Sequence, residues 1–179
     1  PDDFDRAQAI VAAMRAYPEA KQLLTGGQKE KTIIQERARG LLPLKARLDI
    51  HHPDQRLVGE LKTIHDINQI KSTMERYRYP LSAAFYADLS ASQSVQFIFV
   101  QTGEPYEVAV FELSRLQLQD GREQWQSALQ RFDECWEANH WPEAEPVAPD
   151  LGDDPLMMNF MPMNPDRQRF DLPVGELTL

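Results

Sequence analysis

The run KARLDIHHPDQRLVGELKT, residues 45–63, constrains the fold more than any other part of the chain. Polar and apolar residues alternate with a period of two on either side of Pro53-Asp54-Gln55. That is the pattern of two half-buried strands joined by a turn. In the first arm Ala46, Leu48 and Ile50 are expected on one face, with Lys45, Arg47, Asp49 and His51 on the other. In the second arm Leu57 and Leu61 oppose Val58, Glu60 and Lys62. The polar faces of the two arms can align, which would bring Asp49, Glu60 and Lys62 to one place.

The flanks supply helices and further strands. Residues 4–24 set Ile10, Met14 and Tyr17 at helical spacing before Gly26-Gly27, with a kink or break expected at Pro18. KTIIQER reads as a short strand and RARGLL as a turn. Asp66 is placed to cap a helix carrying Ile67, Ile70 and Met74, and Pro80 suits the first turn of PLSAAFYADL. SVQFIFVQT and YEVAVFEL, separated by Gly103, Glu104 and Pro105, read as a second hairpin. The segment from Ser114 to His140 reads as helical, with Leu129, Phe132 and Trp136 as its stripe and Gly121 as the point where it would break. Helix, strands, helix, strands, helix is the order of a mixed α/β layered domain.

The chain is 179 residues long and 42% hydrophobic, enough for one domain with a substantial core. From about residue 142 the composition turns acidic, Pro-rich and aperiodic. The expected division is therefore a domain over residues 1–141 and a tail over 142–179 whose Met157, Met158, Phe160, Met161 and Met163 could dock on a neighbour. No apolar stretch approaches the roughly 20 residues of a membrane span, so no membrane association is expected. The single cysteine, Cys135, excludes an internal disulfide and an all-cysteine metal site, and reads as a buried thiol in a cytoplasmic protein. Residues 1–80 hold 14 Lys+Arg against 11 Asp+Glu, whereas residues 81–179 hold 5 against 17. An acidic half can keep the protein soluble while the basic half meets a polyanion.

Glu60 and Lys62 project from one strand face about 7 Å apart. Two facing carboxylates repel, and one would have to keep a proton. A divalent cation removes that conflict, and hard oxygen ligands select Mg²⁺ or Mn²⁺ over zinc. Lys62 can then orient a water or hold charge developing on a phosphate. The plain alternative is a surface salt bridge between Glu60 and Lys62 beside an unrelated Asp49, since D-x10-E-x-K is a loose pattern.

Asp49 followed by Glu60-Leu61-Lys62 resembles the PD-(D/E)xK nuclease signature, and the wider context resembles the exonuclease VIII and lambda-exonuclease branch. KARLDI is similar to that family's strand into its catalytic aspartate, ELKTIHD to its acid-x-Lys-Thr stretch, YRYPLSAAFYADL to its aromatic helix, and FIFVQTGEPYEVAVFEL to its closing strands. The resemblance runs from about residue 5 to about residue 138 and implies a restriction-endonuclease-like core, a central mixed β-sheet flanked by helices. It implies Glu30, Asp49 and Glu60 as Mg²⁺ ligands (Mn²⁺ substituting), with the backbone carbonyl of Leu61, and Lys62 as the catalytic lysine. It further implies an exonuclease acting on double-stranded DNA ends, often as a ring-shaped homo-oligomer that feeds a single-strand annealing recombinase. An endonuclease of the same fold, or a weakened nuclease-fold module that binds DNA or protein, are the alternatives.

Two departures from the family stand out. Its aromatic helix usually carries a glutamine four residues before the tyrosine; here Tyr86 is present but Ser82 holds that position. Relatives also carry an N-terminal helical portion with a histidine near the metals, and a chain opening on Pro1 is expected to be part of something longer or a reduced version. Among cations that could meet phosphates, Arg37, Arg39, Lys45, Arg47, Lys71, Arg76 and Arg78, Arg47 shares the expected face of Asp49. Tyr77, Tyr79 and Tyr86 could stack on a frayed base, although such residues more often line a core or rim. His51-His52 is expected in a solvent-exposed turn.

Overall fold

Pro18 divides what apolar spacing alone would extend as one helix. The computed structural model, which describes residues 3–143, has helix α1 over Asp3–Ala16 and helix α2 over Pro18–Leu24. Tyr17 between them is extended (φ −83°, ψ 116°), as a residue before proline prefers. Strands β1 (Gln28–Gln35), β2 (Leu44–His52) and β3 (Leu57–Ile64) follow. Helices α3 (Ile70–Arg76) and α4 (Tyr79–Leu89) then cross over to β4 (Ser94–Gln101), β5 (Val108–Glu112) and helix α5 (Arg115–Ala138).

The five strands form one sheet in the order β1-β2-β3-β4-β5. Only the β3–β4 pair is parallel, because only that connection contains helices long enough to return the chain to the same end. The sheet is thus mixed and flanked by helices, as the sequence led us to expect. The turn of the first hairpin is the short 3₁₀ segment Pro53–Gln55, closed by Arg56 in the left-handed region (φ 52°).

Strand alternation sorts the core onto two faces. Met14, Leu23, Ile50, Leu57, Ile98 and Val100 cluster beneath α1 and α2. Leu48, Val58, Val95, Phe97 and Phe99 cluster with Ala83, Ala84 and Ala87 of α4 and Leu118 of α5. Each fully buried Leu, Ile or Phe stabilises the fold by about 1.5–3 kcal/mol. The alanines let α4 lie close to the sheet, and Gly121 lets α5 lie close to α4. A Cβ on Gly121 would come within 2.1 Å of the Pro80 carbonyl oxygen.

Three expectations are corrected. Helix α5 runs through Gly121 without a break, since the glycine serves helix contact and a capping box of Ser114 and Gln117 starts the helix firmly. Its expected stripe is half-exposed: Phe132 and Trp136 stack on each other with centroids 6.4 Å apart, and Cys135 is only partly buried. Ile50 does not share a face with Ala46 and Leu48; it belongs to the opposite cluster. The tail expected from residue 142 lies, beyond Glu143, outside the described residues. Among the described residues no helix is long and apolar enough to cross a membrane.

Candidate active site

The change of face at Ile50 traces to a gap in the sheet at Asp49. Strands β1 and β2 pair Gln28 with His51 and Lys29 with Ile50, then resume at Lys31 with Leu48. The skipped positions are Glu30 and Asp49, and Glu30 takes a left-handed conformation (φ 53°) that a regular strand excludes. On the other side, β2 pairs with β3 only from Ile50–Gly59 to His52–Leu57. Asp49 therefore has no ladder partner on either neighbour. Its side chain substitutes for the lost pairing: Leu61 N–H donates to Asp49 Oδ2 at 2.9 Å.

That gap gathers the predicted residues. Lys62 Nζ donates to Glu60 Oε2 at 2.9 Å and lies 3.9 Å from Asp49 Oδ2. Glu60 is 4% exposed, and its Oε1 is buried with no hydrogen-bond partner among the described residues. Burial pushes the Glu60 carboxyl above its ordinary range, against the charge and hydrogen bond of Lys62. Burial alone would lower Lys62, but the charge of Glu60, its hydrogen bond and the charge of Asp49 hold the ammonium above its usual range. The same ammonium sits 5.7 Å from the centroid of the Tyr79 ring, a cation–π contact that keeps it aimed into the gap. This is a partly buried charge cluster, not the exposed surface pair of the plain alternative.

The orphaned Glu60 Oε1 bears on whether the site suits a cation. A buried carboxylate oxygen without a donor is costly, and a hard divalent ion held with Asp49 would satisfy it. The residues present therefore fit Mg²⁺ or Mn²⁺, with the Leu61 carbonyl next along the same strand. Glu30 is placed differently. It accepts from Arg47 Nε at 2.5 Å on the exposed side of β1 and β2, and among the described residues no three His, Cys, Asp or Glu side chains group as a metal site.

The remaining candidates divide by position. Tyr86 of α4 lies close enough that burial first, then the charges of Glu60 and Asp49, raise its phenol above the ordinary value. Ser82, one turn earlier, spends its hydroxyl on the Tyr79 carbonyl at 3.0 Å. Arg47 and Lys45 are exposed on β2, and Arg78 is exposed at the α3–α4 junction. Arg37 is no free cation, for Nη1 donates to Asp133 Oδ1 at 2.9 Å and Nη2 to Oδ2, tying the loop after β1 to α5.

His51 and His52 lie in β2 and are buried, not in an exposed turn. His52 Nε2 pairs with the Leu23 carbonyl at 2.8 Å. Both ring nitrogens of His51 lack partners among the described residues, and burial, then Lys31, depress its pKa. The sequence reading missed Tyr79 as the support of Lys62. No spacing rule links a residue opening a helix to one on a strand that precedes it.

A mixed sheet that parts between two carboxylate-bearing strands, with a lysine two residues beyond the second carboxylate, defines a PD-(D/E)xK-type core. Residues 1–146 match the PDDEXK-like domain of unknown function (DUF3799), and the chain belongs to that family. No curated protein matches it. Among solved structures, a candidate exonuclease from Eubacterium rectale superposes with a TM-score of 0.66 at 14% identity, over 79% of this chain and 57% of that one. A phage-related exonuclease from Haemophilus somnus 129PT gives a TM-score of 0.49 at 14% identity, over 74% of this chain and 70% of that one. The first likeness is one of fold, and this chain spans little more than half the length of that protein.

Proposed function

We propose that the chain carries the catalytic centre of a divalent-metal-dependent deoxyribonuclease acting from the ends of duplex DNA. The observation that carries this reading is the buried Glu60 Oε1, without a partner among the described residues, beside Asp49 and Lys62 at the gap in the sheet. Asp49 and Glu60 would hold Mg²⁺ or Mn²⁺, which when bound supplies Lewis acidity toward a phosphoryl oxygen and lowers the pKa of a water. Lys62, kept cationic by Glu60, orients the attacking water and offsets negative charge on the phosphate. Water oxygen would bond to phosphorus as the bond to the departing sugar oxygen breaks, the water's proton passing to bulk solvent and the departing oxygen taking one back from it. Exposed Arg47, Lys45 and Arg78 would position the backbone, and Tyr86 and Ser82 would line the approach along α4.

Exonuclease action rests on the resemblance noted above and on the name of the Eubacterium rectale protein. A recombination setting, ring assembly and delivery of a single strand to an annealing recombinase rest on the resemblance alone, and a cytoplasmic location on the single cysteine. Linear duplex labelled separately at each end, incubated with and without Mg²⁺, tests the reading. Mg²⁺-dependent release of nucleotides that disappears in Lys62→Ala and Glu60→Ala is expected. Undiminished release in both variants would refute it, and cutting of closed circular DNA would identify an endonuclease.

A weakened, binding-only version of the fold has specific support in Glu30, held by Arg47, and in Ser82, whose hydroxyl is spent on its own helix. Calorimetric binding of Mg²⁺ without any cleavage would establish that second reading.

A further inference from the structure

Tyr77 lies outside the carboxylate cluster, between α3 and α4, and is 60% exposed. Its ring stacks on Tyr79 with centroids 5.8 Å apart and planes 20° from parallel. Tyr79 in turn stacks on the fully buried Phe97 at 5.7 Å and 18°, and carries the Lys62 ammonium on its ring. A continuous file of rings therefore runs from the core, past the lysine of the candidate active site, to solvent. The backbone holds its outer end in place: Arg78, between the two tyrosines, adopts a left-handed conformation (φ 51°, ψ 44°) that costs a non-glycine residue and lets consecutive aromatic positions stack. The exposed guanidinium of Arg76 lies 5.8 Å from the Tyr77 centroid.

Beside this file, at the carboxyl end of β3, is a polar recess of about 420 Å³. Thr63, His65, Ser72, Thr73 and Arg76 line it together with both tyrosines, and among the described residues no carboxylate does. In a chain with net charge −9, a wall of hydroxyls and one guanidinium, that of Arg76, suits a phosphate-bearing ligand. An exposed ring on a rigid stacked base suits the face of a nucleobase, and Arg76 can move from ring to phosphate. An interior base of a duplex presents its faces only to its neighbours and the last pair bares one face alone, so a base seated within the recess, rather than capping Tyr77 from outside, is an unpaired one.

We infer that the recess floored by Tyr77 takes an unpaired nucleotide of the strand whose phosphate meets Lys62, so that the seated substrate is a frayed or single-stranded end. The inference rests on the nuclease reading of Asp49, Glu60 and Lys62, and its test is chosen to be separable from that reading. A duplex carrying 2-aminopurine either in an unpaired terminal position or in the paired interior is bound to the full chain in EDTA, where nothing is cleaved. Emission from the unpaired probe should be quenched by the wild type and by Tyr77→Phe but not by Tyr77→Ala. Affinity of Tyr77→Ala for the unpaired end should fall roughly tenfold, with the fully paired end little changed. Equal quenching by wild type and Tyr77→Ala, or failure of the wild type to bind or quench the unpaired end, overturns the inference. Circular dichroism of the variant and the Phe rescue guard against a folding artefact. Quenching without Mg²⁺-dependent cleavage would refute the nuclease reading while leaving a single-strand subsite; cleavage without quenching would do the reverse.

Discussion

The Asp49 carboxylate accepts a hydrogen bond from the Leu61 backbone N–H at 2.9 Å, across the point where β2 and β3 stop pairing. One side chain thus closes a gap in the sheet and offers charge to the site. The two roles separate by substitution. Asp49→Asn keeps a hydrogen-bond acceptor and should unfold within a few degrees of the wild type, while losing nuclease activity by at least about a hundredfold, the scale on which positioned electrostatic groups act. Asp49→Ala should lose activity equally and also about 1–3 kcal/mol of stability, because the Leu61 N–H is left without its partner. Thermal unfolding beside end-labelled DNA digestion makes the comparison; equal melting of the two variants would show that the hydrogen bond is not structural.

Glu60 should make the metal-free protein less stable as pH rises. Its folded pKa is raised by burial above the unfolded value near 4.5. Between those two values the native state binds more protons than the unfolded state, so stability falls with increasing pH across that window. Glu60→Gln should flatten that slope in urea titrations run in EDTA from about pH 4.5 upward, at the expense of activity. A wild-type slope no steeper than the variant's would contradict the buried placement of this carboxylate.

Metal should act on stability as well as chemistry. Mg²⁺ that binds the native state alone stabilises it by mass action, by about 2.7 kcal/mol at a hundredfold excess over Kd, and so raises the melting temperature. The shift is expected for the wild type, reduced for Glu60→Gln, and retained in Glu30→Gln, whose carboxylate is held by Arg47. Loss of the shift in Glu30→Gln would mean that Glu30 leaves Arg47 to join the ion.

Asp133 carries the opposite sign. Its hydrogen bond with Arg37 holds its pKa below the ordinary 3.8. Its contribution is therefore present above the unfolded pKa and lost as pH falls through the folded one. Asp133→Asn should destabilise the protein at neutral pH and unfold with less dependence on pH in the acid range below about 4. Parallel acid-unfolding curves for the two proteins would show that the pair is not maintained in solution.

Gly121→Ala tests the α4–α5 contact. The added methyl would meet the Pro80 carbonyl oxygen at 2.1 Å, an overpacking expected to cost about 1–3 kcal/mol or more. A melting temperature unchanged from the wild type would refute so close an approach.

Much of the geometry of the candidate site was legible because the placement of its residues follows strand periodicity. Glu60 and Lys62 share a face because they are two apart on an unbroken strand, and β3 keeps the predicted alternation from Leu57 to Lys62. Alternation failed in β2 for a physical reason. It presumes a continuous ladder, and the break at Asp49 coincides with a left-handed Glu30 on another strand, a relationship no local pattern encodes. The histidines were misplaced because the strand continues to His52, so that the turn begins only at Pro53. Arg37 looked like any other basic residue until Asp133, far along the chain, appeared beside it.

The gap at Asp49 means that the candidate reactive centre is a place where the fabric of the sheet is left unstitched. Such a centre can be lost by mending. A β-branched residue at position 30 that settled into ordinary extended geometry would invite β1 and β2 to close over Asp49, disarming the site with all three of its charged groups intact. Under the nuclease reading, loss of activity need not require a mutated acid or lysine; a well-formed strand at that position would serve as well.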